Sequence, residues 1–390
     1  MNSNNNEQPA RVELKSDVPQ TPVPTGPRFN KKQLGIFAGV VVLLLVIGGG
    51  VYALMNQSKV GAIIPQAVDT GKFGELPMSG DKEQEPAISQ TVSGLSGRSC
   101  ERADRRPIGV MLAGDAINRP MSGFSKADMV WELPVLASNV TRLLGVYQCG
   151  QPTDIGSVRS VRHDYLFVAE GVDAIVAHWG GSFHALNRIA VGEFQTLSAL
   201  ANPHNAFFRK NHLPAPYNGF TTYERLWNAL EKQGFRTTTN FKGYDFKDDI
   251  AREQRPAGGR LTIAWPGSFR VHYEYDPETN RYVRYWAGTK QIDAEDNQVV
   301  APSSVVVARA TNGSATPPDG GYNDVGIEGK GQMTVYQDGK AIPGTWQKNE
   351  LDKKDPMKFY NEQGQPIIFT RGQIWVMTPS DDITVTWEPK

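Results

Sequence analysis

The side chains able to do chemistry in this chain crowd between positions 132 and 205. Three arginines carry the charge: Arg142, then Arg159 and Arg162 in "IGSVRSVRHDY". A guanidinium presents a planar fork of donors that fits a carboxylate or a phosphate at two points, so arginines gathered at loop ends point to an anion site. Gly180, Gly181 and Ser182 follow closely. A glycine turn running into a helix start aims backbone N–H groups outward and would add to such a site. His178 precedes that turn, His204 and Asn205 lie in "ANPHNAFF", and Glu132 ends an apolar run. The expectation is a pocket lined by Arg159, Arg162, His178 and Ser182, with Arg142, Glu132, His204 and Asn205 at its rim.

Each of these residues also has a plainer role open to it. Arg159 and Arg162 could pair with Asp154 or Asp164 and only fix a loop. A lone histidine at the end of an apolar strand, such as His178, is commonly a satisfied core group. Five of the six histidines fall between His163 and His212, but no H-x-x-x-H or Cys–His spacing supports a zinc site, so no metal and no cofactor is expected. Neither G-x-S-x-G nor a Walker motif is present.

The elements that must position these groups are short. Ile108–Ala113, Met129–Glu132, Arg142–Gln148 and "DAIVAHW" read as strands, and Val161–Glu170 and "FHALNRIA" as helices. "YERLWNALEKQ" has helical period, with Thr221 and Glu224 as a capping box and Gly234 as the stop. Strands alternating with helices predict a mixed α/β domain over residues 99–248. Beyond it come short Val-, Tyr- and Trp-rich runs broken by Gly, Asn and Asp, with "DPETNRY" as a hairpin turn. These predict a mostly β domain over 249–390. The fold class is therefore α+β.

Ahead of both domains the character differs. Residues 1–33 are polar and Asn- and Pro-rich, a composition that cannot bury enough surface to order itself. Leu34–Met55 is a run of 22 uncharged residues, long enough to span a hydrocarbon core roughly 30 Å thick. Lys31 and Lys32 precede it, which places the N-terminus in the cytoplasm and the rest outside. Residues 56–98 read as a linker. The two cysteines, Cys100 and Cys149, then lie on the oxidising side, flank apolar runs and are expected to pair. With 41 basic and 41 acidic residues and no basic tract, nucleic-acid binding is not expected.

The stretch from "RPIGVMLAGDAINRPMSGF" to "DAIVAHWGGS" resembles the YerB-like family of bacterial extracytoplasmic proteins, whose two domains are of unknown function. The resemblance runs through Arg119-Pro120, Glu132, Thr141-Arg142, Val158-Arg159-Ser160, Arg162, His178, Gly180-Gly181-Ser182 and Pro203-His204-Asn205, and continues in "YEYDPETNRYVRYWAG" and "TRGQIWVMTP". It implies a two-domain envelope protein. Many relatives resemble lipoproteins, whereas this chain carries the apolar span, and His163-Asp164 stands where relatives have proline and an aromatic residue.

Three functions compete. The first is a membrane-anchored protein that binds an anionic envelope ligand, a glycan carboxylate or a polyprenyl-linked phosphate. The second is an enzyme on such substrates, a glycan hydrolase, lyase or transferase, with Glu132 as acid or base, Asp128 or Asp164 as second carboxylate, and His178 or His204 assisting. The third is a scaffold whose β domain docks proteins through Trp346 and Trp375.

Overall fold

Continuous and alternating apolar runs build two kinds of sheet. In the computed structural model, which describes residues 92–136 and 140–390, the continuous runs enter a ten-stranded sheet. Its spatial order is β19 (Lys358–Asn361), β18 (Lys340–Lys348), β17 (Gly329–Gln337), β14 (Ser304–Ala308), β21 (Ile374–Met377), β2 (Met129–Pro134), β3 (Thr141–Tyr147), β1 (Ile108–Ala113), β5 (Ile175–His178) and β6 (Thr196–Ser198). Every residue of β1, β2, β3 and β5 is buried, because both faces of the sheet are covered. The alternating runs form a five-stranded antiparallel sheet, β13 (Thr289–Lys290), β12 (Arg281–Trp286), β11 (Val271–Asp276), β10 (Gly259–Ile263) and β22 (Val385–Pro389). Three small ladders complete the strands: β4 (Ile155–Gly156), β8 (Gly219–Thr221) and β7 (Phe207–Arg209); β9 (Asp245–Lys247) with β20 (Ile368–Thr370); and β15 (Asn312–Ser314) with β16 (Asn323–Val325). The result is an α+β chain with a β-rich C-terminal region.

The large sheet draws strands from both sides of residue 248. β21 lies between β14 and β2 and runs parallel to both, so Ile374 faces Ser304 on one side and Met129 on the other. One face of the sheet packs against the five-stranded sheet, through Leu261, Tyr273 and Trp286, and against α3 (Tyr223–Lys232). The opposite face holds α1 (His163–Gly171) and α2 (Phe183–Ala190), which contribute Tyr165, Val168 and Ala185 to a second core.

Helix α3 is capped one residue later than the sequence pattern suggests. The Thr222 hydroxyl accepts from Arg225 N at 3.1 Å, while Thr221 is buried in β8 and donates to Ala206 O at 2.7 Å. Gly234, at φ +70°, supplies the expected stop. The expected span Leu34–Met55, the tail before it and the linker up to residue 91 lie outside the described residues. Among the described residues no helix is long and apolar enough to cross a membrane.

β1 and β5 are parallel, β5 and β6 are parallel, and β3 is antiparallel to both β1 and β2. The carboxyl ends of β1, β2, β5, β6 and β21 therefore emerge on one edge of the sheet. In open α/β sheets that edge is where the loops build binding sites.

Candidate functional site

The three predicted arginines meet on that edge. Arg142 is the second residue of β3, paired in register with Ala113 and Leu133. The segment Arg159–Arg162 crosses the ends of β1 and β5: Arg159 N donates to Met111 O at 2.9 Å, and Trp179 N donates to Arg159 O at 3.0 Å. Arg142 Nη1 donates to Ser160 O at 2.7 Å, and Arg162 Nη1 donates to Val161 O at 3.1 Å. The Tyr165 hydroxyl of α1 lies 2.6 Å from Arg142 O and accepts from Leu133 N at 3.2 Å, which fixes the helix to the strand pair beneath the cluster.

None of the three guanidiniums makes an ion pair with a carboxylate among the described residues. The pairings that would have made them structural are taken elsewhere: Lys210 holds Asp154 at 2.6 Å, and His163 holds Asp164 at 3.0 Å. Aromatic faces serve instead. Arg159 lies 4.6 Å from the centre of the Tyr217 ring and Arg162 lies 4.0 Å from that of Tyr322. Arg159 Nη1 and Arg162 Nε are buried and find no acceptor among the described residues.

The electrostatics match this geometry. Burial, and then the neighbouring Arg162 and Arg159 charges, push the Arg142 guanidinium down to about 9. Burial also lowers Arg162, with Arg159 adding to it, while the Tyr322 and Tyr165 hydroxyls and Asp319 oppose the shift. Buried like charges without a counter-ion are costly, and an anion placed among them would relieve both desolvation and repulsion.

Other predicted members of the pocket are engaged elsewhere. His178 is a satisfied core histidine. Its Nδ1 donates to Gly180 O at 2.7 Å, its Nε2 lies 3.2 Å from the Thr196 hydroxyl, and burial lowers its pKa, so the ring is neutral and occupied at both nitrogens. The turn Gly180-Gly181-Ser182 does start a helix, and Ser182 caps it by accepting from Ala185 N. The anion at that helix start is already the protein's own: Asp319 accepts from Phe183 N and His184 N, both at 2.8 Å.

Glu132 is displaced by strand alternation. Arg142 faces Leu133 across the ladder and shares its side of the sheet, so adjacent Glu132 points to the other side. There it is fully buried, accepting from Arg284 Nη2 at 2.8 Å, Trp375 Nε1 at 3.1 Å and the Thr141 hydroxyl at 2.9 Å. His204 and Asn205 form an exposed turn with left-handed backbone, at φ +53° and +57°. Asn205 O accepts from Arg225 at 2.8 Å, and among the described residues no hydrogen bond or ion pair joins His204 or Asn205 to Arg142, Arg159 or Arg162. Trp346 and Trp375 are core residues, only 2 % and 0 % exposed, which removes them as a docking surface.

Residues that local pattern did not reveal complete the edge. Tyr217, Asp319 and Tyr322 arrive from distant loops. Arg119 stacks 3.8 Å from the Trp286 ring centre and donates to Gly114 O at 2.7 Å, and the side chain of neighbouring Asn118 is buried without a partner among the described residues. A groove of about 760 Å³ lies elsewhere, lined by charges of both signs, among them Arg106, Asp173, Arg236 and Asp355. It has no single-sign character to select an anion.

Comparison with known proteins sets this architecture in a family. Residues 92–236 match the N-terminal domain, and residues 261–376 the C-terminal domain, of the family described as "Protein of unknown function (DUF3048)". The chain belongs to the DUF3048 family. One DUF3048 relative is "Putative lipoprotein YerB" of Bacillus subtilis (strain 168), 26 % identical over 305 residues, covering 75 % of this chain and 89 % of that protein. The crystal structure of YerB from Bacillus subtilis superposes with a TM-score of 0.67 at 24 % identity, over 76 % of this chain and 99 % of that one. The DUF3048 fold is thus common to both, and the expected YerB-like resemblance holds along the two matched domains.

Proposed function

We propose that this chain is an extracytoplasmic protein that binds an anionic ligand of the cell envelope between Arg142, Arg159 and Arg162. The ligand class is a glycan carboxylate or a polyprenyl-linked phosphate. The observation that carries the reading is three clustered guanidiniums without an ion-pair partner among the described residues, two of them with buried donor nitrogens unpartnered there. Binding is favoured over catalysis because the two best-placed acid–base groups, Glu132 and His178, are committed to buried contacts.

The test is titration of the full chain, purified in detergent, with inorganic phosphate, a polyprenyl phosphate and a carboxylate-bearing glycan fragment. Arg159→Ala removes charge-assisted hydrogen bonds worth about 1.5–3 kcal/mol each, so binding should weaken roughly 10- to 150-fold with little change in melting temperature. A variant that unfolds, together with a parent that binds none of the three probes, would mean the arginines are structural.

The same reading anchors the chain through Leu34–Met55 with its N-terminus in the cytoplasm. Both cysteines are paired in the Cys100–Cys149 disulfide, as an oxidising extracytoplasmic side favours. Protease applied to cells with the plasma membrane exposed but intact should digest the chain beyond residue 56. Full protection would reverse the topology.

A further inference from the structure

Beside the arginine cluster lies a second group that the anion reading does not use. His163 and Asp164 open helix α1, and Asp324 reaches them from β16 across a separation of 161 residues. His163 Nε2 stands 3.0 Å from an Asp164 oxygen and 3.1 Å from an Asp324 oxygen, and the three atoms lie within 4.8 Å of one another. We infer that His163, Asp164 and Asp324 form a binding site for a divalent first-row cation of the Zn²⁺ class.

Three considerations carry this. The first is proton count. One imidazole nitrogen holds at most one hydrogen, so it cannot donate properly to two carboxylates at once, yet both oxygens sit at contact distance from it. A cation bound by the lone pair of Nε2 and by both oxygens satisfies all three atoms together.

The second is spacing. Donors about 2.0–2.2 Å from a metal stand roughly 3.0 Å apart at right angles and roughly 3.4 Å apart in a tetrahedron. The two edges at Nε2, 3.0 and 3.1 Å, lie at the right-angled spacing, and the third, between the two carboxylate oxygens, is within 4.8 Å.

The third is burial. The Asp164 side chain is only 3 % exposed. The nearest full positive charge in sequence, Arg162, is stacked on Tyr322 rather than paired with it. Two carboxylates facing each other at a partly buried site are what a divalent ion stabilises.

The donor set also selects the ion. One imidazole with two carboxylates suits Zn²⁺ or Mn²⁺, whereas Mg²⁺ and Ca²⁺ prefer all-oxygen shells. Asp324 is 60 % exposed, which leaves the remaining coordination positions open to solvent.

The experiment uses the full chain in detergent, stripped with a chelator and dialysed, then titrated calorimetrically with Zn²⁺, with Mg²⁺ as comparison. One saturable Zn²⁺ site is expected, weakened at least tenfold by His163→Ala and by Asp324→Asn, with Mg²⁺ giving no saturable heat. Zn²⁺ should also raise the melting temperature of the parent and not of Asp324→Asn. Because Asp324 is exposed, that variant should melt with the stripped parent, so loss of binding is not confused with loss of fold. No saturable Zn²⁺ heat, or an affinity unchanged in Asp324→Asn, overturns the site and leaves a proton shared among the three side chains.

Discussion

Glu132 offers the sharpest separation of a structural role from a chemical one. In Glu132→Ala the guanidinium of Arg284 stays where it is, 0 % exposed, between the rings of Trp286 and Trp375 at 4.5 Å from each. It keeps a donor contact to the Tyr273 hydroxyl at 3.1 Å and one to Gln291, both neutral, and loses its ion-pair partner. Thr141 and Trp375 lose their acceptor at the same time. Breaking a buried pair by removing one member costs about 3–5 kcal/mol, most of it from the charge left behind. At about 2–4 °C per kcal/mol, the melting temperature should fall by roughly 6–20 °C. Glu132→Gln keeps an acceptor and loses the charge, so it should fall by less. The double change Glu132→Met with Arg284→Met should recover much of the loss, since removing both charges removes the desolvation cost as well. The assay is thermal unfolding followed by circular dichroism, with phosphate titration of each variant while folded. If Glu132→Ala melts with the parent yet no longer binds or turns over an envelope ligand, the carboxylate is a functional group and the reasoning fails.

Reduction of the Cys100–Cys149 disulfide, which closes a separation of 49 residues, should lower stability by about 4 kcal/mol in the chain-entropy treatment; unfolding with and without reductant measures it. His178 makes stability depend on pH in one direction. Because its folded pKa is depressed, chiefly by burial, its contribution is complete above about 6.5 and is lost as pH falls through the folded value, where the unfolded chain takes up a proton that the folded chain refuses. Melting temperatures between pH 5 and 7.5 should therefore drop on the acid side, and His178→Gln should flatten that slope; an unchanged slope would assign it to other groups.

The local elements were legible because local pattern specifies them. Ile108–Ala113 and "FHALNRIA" occupy the residues their periodicity indicates, and the turn in "DPETNRY" joins β11 to β12 with Asn280 at φ +56°. The error at Thr221 is of the same local kind: two adjacent threonines offer two caps, and the one in β8 was already bonded to Ala206. What pattern could not reveal is pairing over distance. The arginines stand out in the sequence because their own chemistry marks them. The partners that decide the roles of their neighbours lie far away in sequence: Asp319 at the start of α2, Arg284 against Glu132, Tyr322 on Arg162 and Asp324 at His163. The misassignment of Glu132 has a simple cause. A residue at a strand end looks like a rim residue until the face it points to is known, and that face depends on the register of β2 with β3.

The position of β21 bears on how such a chain is made. β2 lies near the middle of the large sheet, but one of its two neighbours, Ile374–Met377, is synthesised long after it. Until residue 377 has emerged, the hairpin of β2 and β3 carries an open edge of apolar residues, a template for pairing with another chain. Closing a contact between Met129 and Ile374 requires a loop spanning most of the described chain, a topology that folds slowly. If the part beyond the proposed span is threaded outward in chain order, that edge faces the envelope through the whole passage of the C-terminal region. A holding chaperone on the outer side, or rapid capture of β2 by the emerging C-terminal strands, would then limit how much protein survives export.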